Sequence, residues 1–501
     1  MNQAQNILFL FPDQMRADFL SCYGCECVET PHIDSLASEG IRYERALSHA
    51  PVCVPARGSL LTGRNALKNG VMDNNHWLHP QDHLYGIKTW PELLSEAGYA
   101  TAAVGKMHFY PFDASEGFRE RRIAEDKRFL YLHDDYAAYL EENGFRKFHG
   151  ADHDGYFEQK GAVISRIPFE HQVDRWVADQ TIDYLRGVDI DHPFALMAGF
   201  PGPHCPYDPP REYLDRVDVD ALPAPIPPTT DSNRYKPVMD SNFRRFWNQV
   251  DYSDIDETHI RRIRHHYAAL IAQIDDCVGA IINNLKENGL YENTMIVFAS
   301  DHGDFVGDYR LMGKQLFYEP AVRVPLIVKP AGAAKPGQTW PEPVSLTDIN
   351  ATILETAGVR YSKNEDSIPL PFVNETTHGS AKNAKGQREY IFGVNSRGCM
   401  LVRDNWKLIV YYDGRSQLYD TDRDPLEQTN LAGADEQQNR AENSECRAVR
   451  KELEAILWRE MLLSAQAAHE DKAVHETAGL GRGRFGRPGW NRPYPCREQE
   501  E

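Results

Sequence analysis

Four apolar runs in this 501-residue chain are each followed at once by groups that carry charge or move protons. Asp13 and Gln14 follow the run 7–11, Lys106 and His108 follow 99–104, His204 follows 194–200, and Asp301 with His302 follows 294–300. Sites in open α/β sheets lie at the carboxyl ends of strands, so groups placed in this way converge on one crevice. Taken singly, an Asp after a strand is an ordinary cap or turn former, and a lone His is an ordinary structural residue. Their shared placement is what points to chemistry. A fifth contribution is Cys53-Val-Pro-Ala-Arg57, which opens the helical stretch 56–67 with a proline near its first turn. A cysteine there faces exposed backbone N–H groups and the positive end of the helix dipole, which suits an anion. Cys-x-Pro-x-Arg is expected by chance about 0.04 times in this composition, whereas a buried cysteine alone would mean little.

The elements that must position these groups read as a parallel α/β sheet covered by helices on both faces. The apolar runs 7–11, 99–104, 194–200, 294–300 and 325–328 read as buried parallel strands, and helices are expected at 31–39, 55–67, 90–97, 171–187 and 257–287. Residues 201–262, rich in proline and aromatics, read as a long ordered insertion of the kind that shapes a binding site. Beyond about 380, short alternating strands are expected at 390–394, 400–403, 406–412 and 417–420, then a helix over 435–467. The organisation expected is a catalytic α/β domain over 1–380, a smaller antiparallel α+β subdomain over 381–470 and a Gly/Arg/Pro-rich tail over 471–501.

Composition narrows the function. Hydrophobic residues make up 41% of the chain and mean hydropathy is −0.57, which excludes global disorder, a collagen-like chain and a membrane-spanning bundle. With 55 basic and 74 acidic residues the formal charge is −19, so the field of the whole molecule repels polyanions and argues against nucleic acid as a partner. An anionic ligand must then be met by a local cluster of cations. The nine cysteines are odd in number and lack disulfide-scaffold spacing, and the first residues show neither a basic n-region nor a small-residue cleavage site. Reduced thiols, a cytoplasmic location and no membrane partner are the expectation.

The chain resembles the type I sulfatases of the alkaline-phosphatase-like superfamily. The resemblance runs from residue 6 to about 430: Asn6-Ile-Leu-Phe-Leu-Phe-Pro-Asp-Gln14, Thr30-Pro-His-Ile-Asp-Ser-Leu-Ala37, Cys53-Val-Pro-Ala-Arg-Gly-Ser-Leu-Leu-Thr-Gly-Arg64, Val104-Gly-Lys-Met-His108, Ser300-Asp-His-Gly-Asp304 and Leu418-Tyr-Asp420 before Asp424-Pro425. The segment 53–64 is the most specific signature.

What this resemblance implies is a metal-dependent sulfuric ester hydrolase with the alkaline phosphatase/sulfatase-like fold. Its signature cysteine, Cys53, would be oxidised by a maturation enzyme to formylglycine, whose hydrate is the nucleophile. One hydroxyl of that diol attacks sulfur and expels the alcohol; the second then loses its proton and re-forms the aldehyde, ejecting sulfate. Asp13, Asp301, His302 and residue 53 would hold a divalent ion, with Gln14 as a further ligand; Ca²⁺ is the first expectation, with Mg²⁺ and Mn²⁺ as alternatives. Arg57 and Lys106 would stabilise the diol, and Lys314 would grip sulfate and the bridging oxygen. His108 would act as base on the hemiacetal hydroxyl, and His204 would protonate the departing alcohol.

The departures from the family pattern are Gln14, where many relatives carry a second Asp, and His302, where many carry Asn. The substrate expected is a sulfated mono- or oligosaccharide. A phosphonate or phosphate diester hydrolase of the same superfamily and a catalytically inactive sulfate-binding relative stand as alternatives, and a homo-oligomer is left open. Lesser features are Cys22-x2-Cys25-x-Cys27, which lacks the paired cluster a metal site needs, Asn74-Asn75-His76 after the signature helix, and the arginines of Gly481–Trp490.

Overall fold

The computed structural model describes residues 5–80, 82, 86–332, 337–363, 366–371, 373, 388–432 and 444–471. The Arg-containing tail and the start of the helix expected at 435 lie outside these residues. The apolar runs form the strands expected of them. The large sheet contains β1 (Asn6–Asp13), β2 (Ile41–Tyr43), β3 (Ala100–Gly105), β4 (Glu120–Ile123), β5 (Phe194–Pro203), β6 (Thr294–Ala299), β7 (Leu326–Lys329) and β8 (Gln338–Trp340). Across the sheet their order is β8-β2-β7-β6-β1-β5-β3-β4. β1 sits at the centre, parallel to β5 on one side and β6 on the other. Its side chains alternate between two cores: Leu8 and Leu10 enter one, while Ile7, Phe9 and Phe11 enter the other.

Helices cover both faces. On one side lie α1 (Pro31–Ser38), α4 (Val173–Arg186) and the long α5 (Glu257–Glu287); on the other lie α2 (Cys53–Thr62), α3 (Trp90–Glu96) and α6 (Asp348–Thr356). All ten residues of α2 are buried. With no solvent face, its polar side chains are answered inside the protein: Arg57 by Asp301, Ser59 by Asn69 and Thr62 by the Gly58 carbonyl.

Two expectations need correction. The run 325–328 is not a parallel strand: β7 pairs antiparallel with both β2 and β6. The helix expected over 55–67 begins at Cys53 and breaks at Gly63, which takes a φ of 69°, before a short second helix Ala66–Asn69. Within the segment 201–262, whose periodicity is weak in the sequence, a helix forms at Thr230–Phe243 despite Pro237. The segment's buried Tyr207, Tyr213 and Tyr252 show why it is ordered.

Near the carboxyl end, β9 (Ile391–Asn395), β10 (Gly398–Arg403), β11 (Trp406–Tyr411) and β12 (Ser416–Asp420) make an antiparallel meander, and a helix, Ser444–Asp471, follows. This unit is tied to the large sheet by Lys407, whose buried ammonium lies 2.6 Å from Glu427 and 3.1 Å from Glu319. The β9–β10 turn reaches the edge of the crevice: Ser396 donates its N–H to the Met72 carbonyl, and Asn395 Nδ2 donates to the Gln315 carbonyl at 3.0 Å.

Candidate active site

The carboxyl ends of β1, β3, β5 and β6 open on one side of the sheet, and the first turn of α2 closes the space above them. Two features hold α2 there. Val52 is extended ahead of the first turn, and Asn74 accepts the Val54 N–H through Oδ1 at 3.1 Å, satisfying one of the helix's orphan donors. Asn75 and His76 are exposed, whereas Asn74 bonds the signature helix. Close approach of β3 and β5 is made possible by glycines. A Cβ on Gly105, at φ +88°, would lie 2.1 Å from the Gly199 carbonyl oxygen, and one on Gly199 would lie 2.2 Å from that of Lys106.

Cys53 is buried at the centre of the crevice. Its Sγ lies 3.2 Å from His302 Nε2, 3.2 Å from Lys314 Nζ and 3.8 Å from Asp13 Oδ1. Ligand atoms of Asp13, Cys53, Asp301 and His302 all lie within 4.8 Å of one another. The donor set suits a hard divalent cation, with two carboxylates, an imidazole and, at the Cys53 position, a thiol standing where a hydrated aldehyde would place oxygen. His302 Nδ1 donates to the Gly303 carbonyl at 2.9 Å, which fixes the tautomer and turns the Nε2 lone pair toward Cys53. Gln14 lies beside this set, its Oε1 accepting from Lys314 Nζ. Its amide nitrogen donates to Asp304 Oδ2, so the amide oxygen is turned toward Lys314 and the cluster.

Cations answer each carboxylate. Arg57 Nε lies 3.0 Å from Asp301 Oδ2 and its Nη2 3.4 Å from Asp13 Oδ2, while its guanidinium rests 4.9 Å above the Phe11 ring centroid. Lys106 Nζ lies 2.8 Å from Asp13 Oδ2 and 3.2 Å from Asp126 Oδ2. Burial works to raise the Asp13 carboxyl, but Lys106, His204, Lys314 and Arg57 together hold it well below the usual carboxylate range. Burial opposes the charge on Lys106 as well, and Asp126 and Asp13 outweigh it, so the ammonium is held above its ordinary value. In a chain of charge −19, Arg57, Lys106 and Lys314 are the local cluster of cations that an anion requires.

The two histidines flank this centre. His108, at φ 62°, packs against the Cys53 side chain, and burial holds its pKa below the ordinary value. Its backbone N–H donates to both oxygens of buried Glu125 at 3.1 Å. Gln14 is left-handed too, at φ 69°, and its N–H donates to Asp301 Oδ1 at 3.0 Å. Two non-glycine residues in this strained region, both just beyond strand ends at the crevice, mark a site where backbone energy has been traded for side-chain placement. His204 lies on the Lys314 side, its Nε2 2.8 Å from Lys314 Nζ. Its pKa is held well below the ordinary value by burial first and Lys314 second.

All ten residues singled out in the sequence therefore meet in one crevice. Missing from that set was Asp304, which takes hydrogen bonds from Gln14 Nε2, Tyr207 Oη at 2.7 Å, and the N–H groups of Val306 and Gly313. It stood in the run 300–304, which was the available signal. Asp126, Arg128 and Glu125 were missed altogether. The cysteines at 22, 25 and 27 do not form one cluster: Cys25 and Cys27 touch at 3.2 Å, whereas the Cys22 N–H donates to Asp34. A second acidic group, His32 with Asp275 and Asp276, is accounted for structurally. Asp275 caps α1 through the Ile33 N–H at 2.8 Å, and Asp276 accepts from Arg216 at 2.6 Å.

Comparison with known proteins agrees with this geometry. The family model described as Sulfatase matches residues 5–359, and one described as N-sulphoglucosamine sulphohydrolase, C-terminal, matches residues 307–455. An arylsulfatase of Clostridium perfringens is 29% identical over 466 residues, covering 87% of this chain and 92% of its own. An N-acetylglucosamine-6-O-sulfatase of Bacteroides thetaiotaomicron is 24% identical over 489 residues, covering 85% and 82%. Among solved structures, the phosphonate monoester hydrolase of Agrobacterium radiobacter superposes with a TM-score of 0.74 at 21% identity, over 94% of this chain and 98% of that one.

Proposed function

This chain belongs to the sulfatase family, and from that premise we propose that it hydrolyses a sulfate ester of a carbohydrate with residue 53, converted to formylglycine, as nucleophile. It is a sulfuric ester hydrolase. The observation that carries the finer reading is Cys53 itself: buried at the start of α2, with Sγ 3.2 Å from both Lys314 and His302. The sugar is supported by the match of the C-terminal region to N-sulphoglucosamine sulphohydrolase and by the N-acetylglucosamine-6-O-sulfatase relative.

Asp13, Gln14, Asp301 and His302 are the residues that would hold a divalent cation. When bound, it supplies Lewis-acid stabilisation of negative charge on the sulfuryl oxygens. A formylglycine at 53 supplies a geminal diol in place of the thiol. Arg57 and Lys106, each braced by buried carboxylates, keep their N–H groups fixed around residue 53 and so need no reorganisation as charge develops. Lys314 directs Nζ at three acceptors, Gln14 Oε1, Cys53 Sγ and His204 Nε2, and thereby bridges the nucleophile side and the leaving-group side. His108 is kept neutral at pH 7 by burial, the state a base requires, and sits beside residue 53. His204 and Lys314 together form the proton source for the departing oxygen.

The test is turnover of 4-nitrophenyl sulfate and of defined sulfated monosaccharides, with and without a chelator. Release of inorganic sulfate that the chelator abolishes and divalent cation restores is the result expected. Hydrolysis confined to phosphonate or phosphate diesters would overturn the reading.

A further inference from the structure

Arg128 stands at the leaving-group side of the crevice with one edge of its guanidinium unanswered by oxygen. The side chain is 8% exposed. Its Nε donates to Asp126 Oδ1 at 2.7 Å, its Nη2 to Asp126 Oδ2, and its face rests 4.5 Å from the Trp247 ring centroid. The group is thus held on one edge and one face. What remains is Nη1, whose acceptor among the described residues is the Cys205 thiol at 4.0 Å. A thiol is a weak acceptor and that distance is long, so a buried donor that would gain from an oxygen partner lacks one.

The position of this edge is defined by its neighbours. Cys205 follows His204 directly, and after burial and Lys314 it is Arg128 that most lowers the His204 pKa. Lys127 locks the strip to the segment beyond His204 through the Pro206 carbonyl at 2.9 Å and through Asp208. Phe129, on the other side, lies 6.5 Å from the His108 ring, centroid to centroid. The strip 126–129 therefore spans the gap between the two histidines, where the alcohol part of a sulfate ester must sit. Asp126 already balances the Arg128 charge and is shared with Lys106. An acceptor that is dipolar rather than anionic fits such a neutral pair, since a second anion would also face Asp126.

We propose that Arg128 binds substrate, its Nη1 donating to a hydroxyl oxygen on the carbon next to the sulfated one, so that the enzyme selects vicinal-diol monosulfates, the arrangement a sugar sulfate presents. This rests on the sulfate-ester reading above and names the feature of the alcohol that the site recognises. Arg128 is distinct from the residues that act at sulfur.

A matched pair of probes isolates the hydroxyl: trans-cyclohexane-1,2-diol monosulfate and cyclohexyl sulfate. The readout is the ratio of their kcat/KM values in the parent enzyme with residue 53 modified, in Arg128→Lys and in Arg128→Gln. A hydrogen bond from a charged donor predicts a ratio of about ten or more in the parent, collapsing toward one in both variants. A ratio near one in the parent, or a ratio kept in the variants while both rates fall together, would overturn the proposal; the latter would mean that Arg128 acts only through Asp126 and Lys106. If neither sulfate is hydrolysed while 4-nitrophenyl phenylphosphonate is, the sulfate-ester reading fails and this proposal falls with it.

Discussion

Lys314 Nζ lies 2.8 Å from His204 Nε2, while the other ring nitrogen of that histidine, Nδ1, lies 2.9 Å from the Cys205 carbonyl oxygen. A carbonyl can only accept, so Nδ1 carries the ring proton; an ammonium can only donate, so Nε2 receives a hydrogen bond from Lys314. In the resting site the proton between them therefore stands on Lys314, and in the mechanism proposed above the two side chains would deliver it as a pair. Burial and the adjacent ammonium, which hold the His204 pKa well below its ordinary value, are the physical reason.

That pairing predicts how leaving groups respond to substitution. His204→Ala and Lys314→Ala should each reduce hydrolysis of a sugar sulfate, whose alkoxide needs a proton, by about 10²-fold or more. With 4-nitrophenyl sulfate, His204→Ala should cost far less, because nitrophenolate leaves unprotonated. Lys314→Ala should still be impaired, since Lys314 also faces residue 53. Steady-state rates on both esters decide the matter, and equal losses for His204→Ala would remove it from the proton path.

Asp301 supplies an oxygen to the cluster of Asp13, Cys53 and His302 and anchors Arg57 at 3.0 Å. Asp301→Ala should lower kcat by about 10³-fold, equivalent to about 4 kcal/mol of lost transition-state stabilisation. It should also weaken binding of Ca²⁺ or Mn²⁺ in calorimetric titration. Near-normal turnover would show that the end of β6 is not the reactive centre.

Asp304 acts one step removed: it accepts from the Gln14 amide nitrogen and so leaves the amide oxygen, the ligand atom proposed above, on the side of Lys314. In Asp304→Asn an acceptor oxygen is replaced by a donor at a buried carboxylate that takes four hydrogen bonds. Cation affinity should fall about 10- to 100-fold, and excess divalent cation should restore part of the activity. Loss of activity with unchanged cation affinity would contradict this role.

A stability prediction comes from Asp174, which accepts the Gly202 N–H at 2.9 Å beneath the end of β5. Burial pushes its carboxyl up to about 6, whereas an unfolded Asp titrates near about 3.9. Between those values the unfolded chain releases a proton that the folded chain keeps, so stability falls as pH rises through this window. Asp174→Asn should flatten that slope and be more stable than the parent above pH 6 by about 3 kcal/mol. Gln273 favours the change: its Nε2 lies 3.3 Å from Asp174 Oδ2 and its Oε1 has no partner among the described residues, so a flipped amide would accept from the new Asn. Thermal midpoints measured from pH 4 to 8 provide the check, and parallel curves for the two proteins would refute it.

The strand-end residues could be read from sequence because each follows a long apolar run, and a run buried on both faces leaves a plain signature. Arg128 and Asp126 could not. They follow β4, Glu120–Ile123, a four-residue strand whose polar sequence Glu-Arg-Arg-Ile carries no apolar run. The direction of β7 was equally hidden, since parallel and antiparallel buried strands share one hydrophobic pattern. The role of Asp304 depends on where Gln14 points, a relation across 290 positions that no local motif encodes. The helix Thr230–Phe243 was obscured by Pro237 and weak periodicity; its burial of Tyr235, Met239 and Phe243 is tertiary.

The central claim is that residue 53, as formylglycine, is the nucleophile of a sulfate-ester hydrolase. Preparations of graded maturation should be assayed with 4-nitrophenyl sulfate and 4-nitrophenyl phenylphosphonate, while mass spectrometry of the peptide ending at Arg57 gives the modified fraction in each sample. The account predicts a sulfatase rate proportional to that fraction, zero in Cys53→Ala, and a higher kcat/KM for the sulfate than for the phosphonate. A sulfatase rate independent of the modified fraction, or full activity with an intact Cys53 thiol, would contradict it.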